Sequence, residues 1–130
     1  MNVKTSSEQK TFTQEEAFKA SLEYFKNDDL AARVWINKYA LKDSAGNLFE
    51  KSPNDMHMRI AKELARIEKR YANPLTEAEV FDLIKDFKYI VPQGSPMAGI
   101  GNPYQIASLS NCFVIGNSGA SDSYGGIMKI

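Results

Sequence analysis

Over the first 88 positions, apolar residues recur at helical spacing and are punctuated by polar capping residues. Thr13-Gln14-Glu15-Glu16 has the form of a capping box, with a hydroxyl at the N-cap and an acid three residues on. It predicts a helix to about Lys26, with Ala17, Leu22 and Phe25, flanked by Phe18 and Tyr24, as its apolar side. Asn27-Asp28-Asp29 stops that helix and caps a second. The second runs from Leu30 to about Tyr39 and turns Val34, Trp35, Tyr39 and then Leu41 toward a core. Asp43 to Asn47 is a turn signal. Ser52-Pro53-Asn54-Asp55 places serine at the N-cap, proline at N1 and an acid at N3, the clearest helix start in the chain. That helix is expected to reach about Tyr71, with Met56, Ile60, Leu64 and Ile67 as one stripe. Asn73-Pro74 ends it. Thr76-Glu77-Ala78-Glu79 opens a fourth helix through Phe87, with Val80, Phe81 and Ile84 facing in.

The pattern changes at Tyr89. A short apolar run, Tyr89-Ile90-Val91, stops at Pro92. A loop rich in Gly and Pro follows, and Ile106 to Ile115 forms a second apolar run. Both runs are short and bounded by turn residues, and both are read as buried strands. From Tyr89 onward only Asp122 and Lys129 are charged, and seven of the eight glycines lie there. The chain therefore divides into a flexible start (1–12), a helical region (13–88) and a segment of strands and loops (89–130).

Composition narrows the functional classes. The 130 residues carry a formal net charge of zero and no basic stripe, so a nucleic-acid binder is not expected. No apolar stretch approaches the ~18 residues of a membrane span, and the start is too polar for a signal peptide. One cysteine excludes an internal disulfide and fits a reducing compartment, so a cytoplasmic location is expected.

Two stretches resemble a known family. Ser95-Pro96-Met97-Ala98-Gly99-Ile100-Gly101, followed by Leu109-Ser110-Asn111-Cys112, is similar to the first strand region of the catalytic barrel in ribonucleotide reductases. Asp122-Ser123 through Ile127 resembles the segment that follows that strand. The segment from Leu30 to Tyr71 resembles the helical region before the barrel. Its Lys38-Tyr39-Ala40-Leu41-Lys42-Asp43 phrase, then Gly46-Asn47, Glu50 and Arg59-Ile60-Ala61, is most like the adenosylcobalamin-dependent class. The family most often has Ser or Ala where this chain has Asn111.

The resemblance implies an α/β fold: a helical region followed by the first strands of an incomplete α/β barrel of the ten-stranded type. It implies the N-terminal part of an enzyme that reduces ribonucleotides to deoxyribonucleotides by radical chemistry. Its expected associates are a ribonucleotide, adenosylcobalamin, a thioredoxin-type reductant and the remainder of the catalytic chain, in an enzyme that can be dimeric. Cys112 would be the first cysteine of the redox pair. Ser95, Ser110 and Asn111 would lie near the substrate phosphates. The chain alone is expected to be inactive, since it has no second cysteine.

Each of these residues also has a plainer reading. A lone cysteine is ordinarily a small buried hydrophobe. Serine beside proline is ordinarily turn chemistry. Gly99-Ile100-Gly101 without a third glycine opening a helix is a weak nucleotide signal. His57 has no second ligand near it in sequence and is read as a solvated helix residue, with no metal site expected. Met56 and Met58 are read as core and edge packing. The alternative function is a small non-enzymatic α-helical interaction protein that uses the first 88 residues as its binding module.

Overall fold

The computed structural model describes residues 10–112 and 123–128. Four helices carry the core: α1 (Gln14–Tyr24), α2 (Asp29–Lys38), α3 (Pro53–Glu68) and α4 (Glu77–Ile84). A single 3-10 turn, Lys85–Phe87, extends α4. Two short helices follow, α5 (Gly94–Gly99) and α6 (Tyr124–Ile127). None of the helices is long and apolar enough to cross a membrane among the described residues.

The predicted caps form. The Thr13 hydroxyl accepts the N–H of Glu16 at 3.1 Å, and the Glu16 carboxylate returns to the Thr13 N–H at 2.8 Å. Thr76 and Glu79 repeat the arrangement at α4. The Asp28 carboxylate accepts from Ala31 N–H at 2.9 Å and starts α2. At α3 the Asp55 carboxylate accepts from the N–H groups of Lys51 and Ser52, at 2.9 and 3.2 Å. Each cap satisfies backbone donors that have no partner within the helix.

α1 packs on α2, and α3 on α4. Between them lies one cluster: Ala17, Trp35, Ile36, Ala40, Leu48, Met56, Ile60, Ala61, Val80 and Ile84. Phe12 joins it from the N-terminal segment. Its N–H donates to the Leu48 carbonyl at 2.8 Å, in an isolated antiparallel bridge.

Three expectations are corrected. The inward face of α3 is Pro53, Met56, His57, Ile60, Ala61 and Ala65, whereas Leu64 is 37% exposed. A stripe drawn through the largest residues overlooks alanines, which face the core while adding little hydrophobicity. His57 shares that inward face, one turn after Pro53 and one before Ile60 and Ala61, and is fully buried rather than solvated. The two apolar runs are not strands among the described residues. Tyr89 and Val91 are about two-thirds exposed, and Ile106 and Leu109 are exposed as well. A strand is stable only beside another, and here Ile90 N–H donates instead to the Leu83 carbonyl at 3.2 Å. Residues 113–115, the polar loop 117–121 and Asp122 lie outside the described residues.

Candidate functional site

The loop expected after Pro92 is partly helical. Gln93 stands at the N-cap position of α5 without a side-chain cap bond, Met97 N–H donates to the Gln93 carbonyl at 3.0 Å, and Ile100 N–H donates to the Pro96 carbonyl at 3.0 Å. Pro96 stands in the first turn, where a missing N–H breaks no bond. Met97 and Ile100 pack on the core cluster from outside. The small residues permit close approach. A Cβ at Gly94 would lie 3.4 Å from the Tyr39 ring, and one at Gly99 would lie 2.9 Å from Leu109 Cδ2. Gly101 has φ +70°, and a Cβ there would meet Arg59 Cγ at 3.0 Å and the Arg59 carbonyl at 3.2 Å.

Arg59 holds this segment to α3. Its Nε donates to Glu50 Oε1 at 2.7 Å. Its Nη2 donates to the Met97 carbonyl at 2.9 Å, and its Nη1 donates to the Ile100 carbonyl. The other Glu50 oxygen accepts the Leu41 N–H at 2.8 Å. The side chains of Arg59 and Glu50 are only 9% and 4% exposed. A buried pair is tolerable when its remaining donors and acceptors are satisfied, and here they are shared among three backbone groups. The planar fork of arginine suits this branching; a lysine ammonium does not reproduce it.

Beyond Gly101, Asn102 makes the turn. Its Oδ1 accepts from the N–H groups of Tyr104 and Gln105, at 2.9 and 3.2 Å, and its Nδ2 donates to the Ala98 carbonyl at 3.2 Å. Tyr104 stacks on Phe49, with ring centroids 4.8 Å apart. Gly101 and Pro103 line two grooves. One, of about 980 Å³, is bounded by Phe12, Met58, Lys62 and Leu75; the other, of about 600 Å³, by Leu64, Ile67 and Leu109.

The sequence candidates fall into two groups. Ser95 and Asn111 meet: Ser95 N–H donates to Asn111 Oδ1 at 2.8 Å, and Asn111 Nδ2 donates to Gln93 Oε1 at 2.6 Å. The Ser95 hydroxyl takes no part in that contact, so the backbone and the asparagine amide carry it. Ser110 bonds locally, its N–H donating to the Ser108 hydroxyl at 3.2 Å. Cys112 is a free, exposed thiol, not a core filler. Sequence reasoning did not single out Glu50, Arg59 or Gln93. Glu50 and Arg59 stand inside the phrase that carried the family resemblance, but a nine-residue spacing does not reveal a pair.

A second polar cluster lies on the far side of α3. His57 meets the Phe87 ring edge-to-face at 4.6 Å and the Tyr24 ring at 6.4 Å. Neither imidazole nitrogen has a hydrogen-bond partner. Burial holds the His57 pKa below the ordinary imidazole value, against the opposing pull of Asp86. Burial, reinforced by the Asp86 charge, pushes the Tyr24 hydroxyl up to about 12. Asp86 and Phe87 both have positive φ, so this corner is built on unfavourable backbone.

Residues 25–103 match the family profile described as "Ribonucleotide reductase, all-alpha domain". The match takes in more than half of the chain, including α2 to α5 and the Arg59 clamp. The chain belongs to the ribonucleotide reductase family. No curated protein and no solved structure matched it. The reductase match reaches the Ser95 segment and ends at Pro103, before Ser110, Asn111 and Cys112.

Proposed function

We propose that this chain supplies the N-terminal part of a ribonucleotide reductase catalytic chain and works together with the remaining barrel and its cysteines. One observation favours this reading above others: within the matched domain, the segment bearing Ser95 is fastened to α3 by the buried Arg59–Glu50 pair. An interaction module has no evident use for a carboxylate and a guanidinium spent on holding a loop of small residues.

In this reading Ser95, Ser110 and Asn111 border the substrate phosphates, and Cys112 is one thiol of the reducing pair. Replacing the ribose 2′-hydroxyl by hydrogen, with loss of water, takes two electrons. Two thiols provide them by closing to a disulfide, which a thioredoxin-type reductant reopens. A second cysteine must then come within ~7 Å of Cys112, measured between Cα atoms. The substrate is a ribonucleoside di- or triphosphate. Adenosylcobalamin is the radical source that the resemblance to class II favours. The only histidine, His57, is buried beneath Phe87 and is not placed to reach it. No step here depends on it.

The test is reconstitution with the remainder of a family catalytic chain, with deoxyribonucleotide counted per enzyme. The pure chain should give none. Cys112→Ser should keep nucleotide affinity, abolish reduction and release free base from a stranded substrate radical. Near-normal product from Cys112→Ser would remove the cysteine from the reaction.

A further inference from the structure

We propose that Arg59, oriented by Glu50, is the positioning residue for the 93–112 segment: it sets Ser95, and through it Asn111, without touching substrate. The part of this inference that concerns reduction rests on the reductase reading; the part that concerns the segment does not.

The segment has few other restraints. α5 is six residues long, too short to be stable by itself. Its apolar contacts with the core come from Met97 and Ile100, which are only partly buried. Directional restraint comes from the guanidinium, which reaches both the Met97 and Ile100 carbonyls. These lie three residues apart, so two donors of one planar group fix the position and rotation of the last turn of α5. Gly101 closes the arrangement by lying flat against Arg59, where a Cβ would meet both its side chain and its carbonyl. Glu50 keeps the guanidinium from rotating away, and Glu50 is itself tied to the Leu41 N–H. A continuous set of bonds therefore runs from α2's exit, through Glu50 and Arg59, to α5. At the other end of α5, Ser95 N–H meets Asn111 Oδ1 while Gln93 accepts from the same amide group. Asn111 immediately precedes Cys112, so a shift of α5 is passed to the backbone that carries the thiol.

The chemistry makes a specific demand on residue type. Lysine at 59 keeps the positive charge and can pair with Glu50, but it cannot hold Glu50 and two carbonyls in one plane. A purely structural role predicts that any core substitution of equal severity does the same harm. The control is Val80→Ala, which thins the core at α4, a helix that carries none of these bonds.

The experiment has two arms, using the full chain. The first measures amide hydrogen exchange and chemical shifts by NMR in wild type, Arg59→Lys and Val80→Ala. In Arg59→Lys, exchange at Met97 and Ile100 should quicken about tenfold or more, a fold-change that corresponds to about 1.4 kcal/mol. The Ser95 amide and Asn111 side-chain resonances should shift, while Ile36 and Ile60 stay protected. Val80→Ala should quicken exchange across the core and leave Ser95 and Asn111 in place. Unchanged resonances in Arg59→Lys, or the same changes in Val80→Ala, would overturn the positioning role. The second arm uses the reconstituted enzyme. Arg59→Lys should lower kcat about tenfold or more with KM within about threefold, as expected for misplacement of a reacting group. Val80→Ala should leave kcat per folded enzyme unchanged. Equal kcat in wild type and Arg59→Lys, despite a shifted segment, would confine Arg59 to local structure. No turnover by the reconstituted wild type would refute the reductase reading itself, while the NMR arm still decides whether Arg59 sets the segment.

Discussion

Replacing His57 with Leu should flatten the acid side of the stability profile while leaving the neutral side close to wild type or slightly raised. Both imidazole nitrogens are buried without partners, and an unsatisfied buried polar group costs about 1–3 kcal/mol. Leucine removes that cost but gives up the edge-to-face contact with Phe87, worth about 0.5–1.5 kcal/mol. The net change near pH 7.5 therefore lies between about 0.5 kcal/mol against the variant and about 2.5 kcal/mol in its favour. The pH dependence follows from the direction of the shift. Burial lowers the His57 pKa in the folded state, so the unfolded chain takes up a proton first as pH falls. Its contribution is complete above the unfolded value, about 6.5, and declines from there down to the folded value.

Other titrations act in a separate window. Glu16 and Glu79 are lowered first by hydrogen bonds from backbone N–H groups, and Asp29 and Glu63 first by bonds from Arg33 and Arg66. Their contributions are present above the unfolded carboxylate range, about 4, and are lost below it. The measurement is urea unfolding between about pH 7.5 and 5, read by the fluorescence of Trp35, the only tryptophan and 2% exposed. The wild-type curve should fall toward pH 5, and the His57→Leu curve should stay nearly level. Parallel curves would show that the imidazole reaches water or a partner in the native state and would refute the reasoning. Asp86→Asn supplies a check of sign, since Asp86 raises the His57 pKa and its removal should steepen the wild-type fall.

Three further outcomes follow from single contacts. Glu50→Ala should destabilise the chain by about 3–5 kcal/mol in equilibrium unfolding, because it leaves the Arg59 charge buried and the Leu41 N–H unpaired. Gly101→Ala should cost about 1–3 kcal/mol, since φ is +70° and the new methyl would press on the Arg59 backbone; a loss below a few tenths would show that the loop readily moves away. Thr76→Ala should cost about 1 kcal/mol of thermal stability by uncapping α4, with Thr76→Gly losing less.

The helices were legible in the sequence because their signals are local. Three caps, at Thr13, Asp28 and Thr76, are set within four residues, and the structure forms each of them. The face of α3 was partly misread because alanine gives little periodic signal, and His57 was misread because one polar residue on an inward face resembles one on an outward face. The short apolar runs were misread for a different reason. Tyr89-Ile90-Val91 has strand composition, but strand formation is decided by a neighbour that sequence alone does not supply. Of the candidate site, the meeting of Ser95 with Asn111 was implied only by the family resemblance. Arg59 and Glu50 were invisible as a pair, since their contact depends on how α3 lies against residues 97–100.

The end of the family match and the end of tight packing fall close together. Pro103 is the last matched residue, and Tyr104, stacked on Phe49, is the last side chain with a ring contact before the exposed stretch. From Gln105 to Cys112 every residue is exposed. The hydrogen bonds that tie this stretch back to α5 are the two made by the Asn111 amide, and exposed bonds of that kind contribute about 0.5–1.5 kcal/mol each. That is enough to bias the position of Cys112 but not to hold a thiol to the sub-ångström tolerance that a reacting group needs. In the proposed enzyme the further restraint comes from the rest of the catalytic barrel, by pairing with the exposed backbone of 105–112. The exposed Ile106 and Leu109 side chains are the apolar surface such pairing would bury. Addition of the remainder of a family catalytic chain should therefore protect the amides of 105–112 from exchange while leaving those of α1 to α4 unchanged, and full protection of 105–112 in the chain alone would contradict this division of labour.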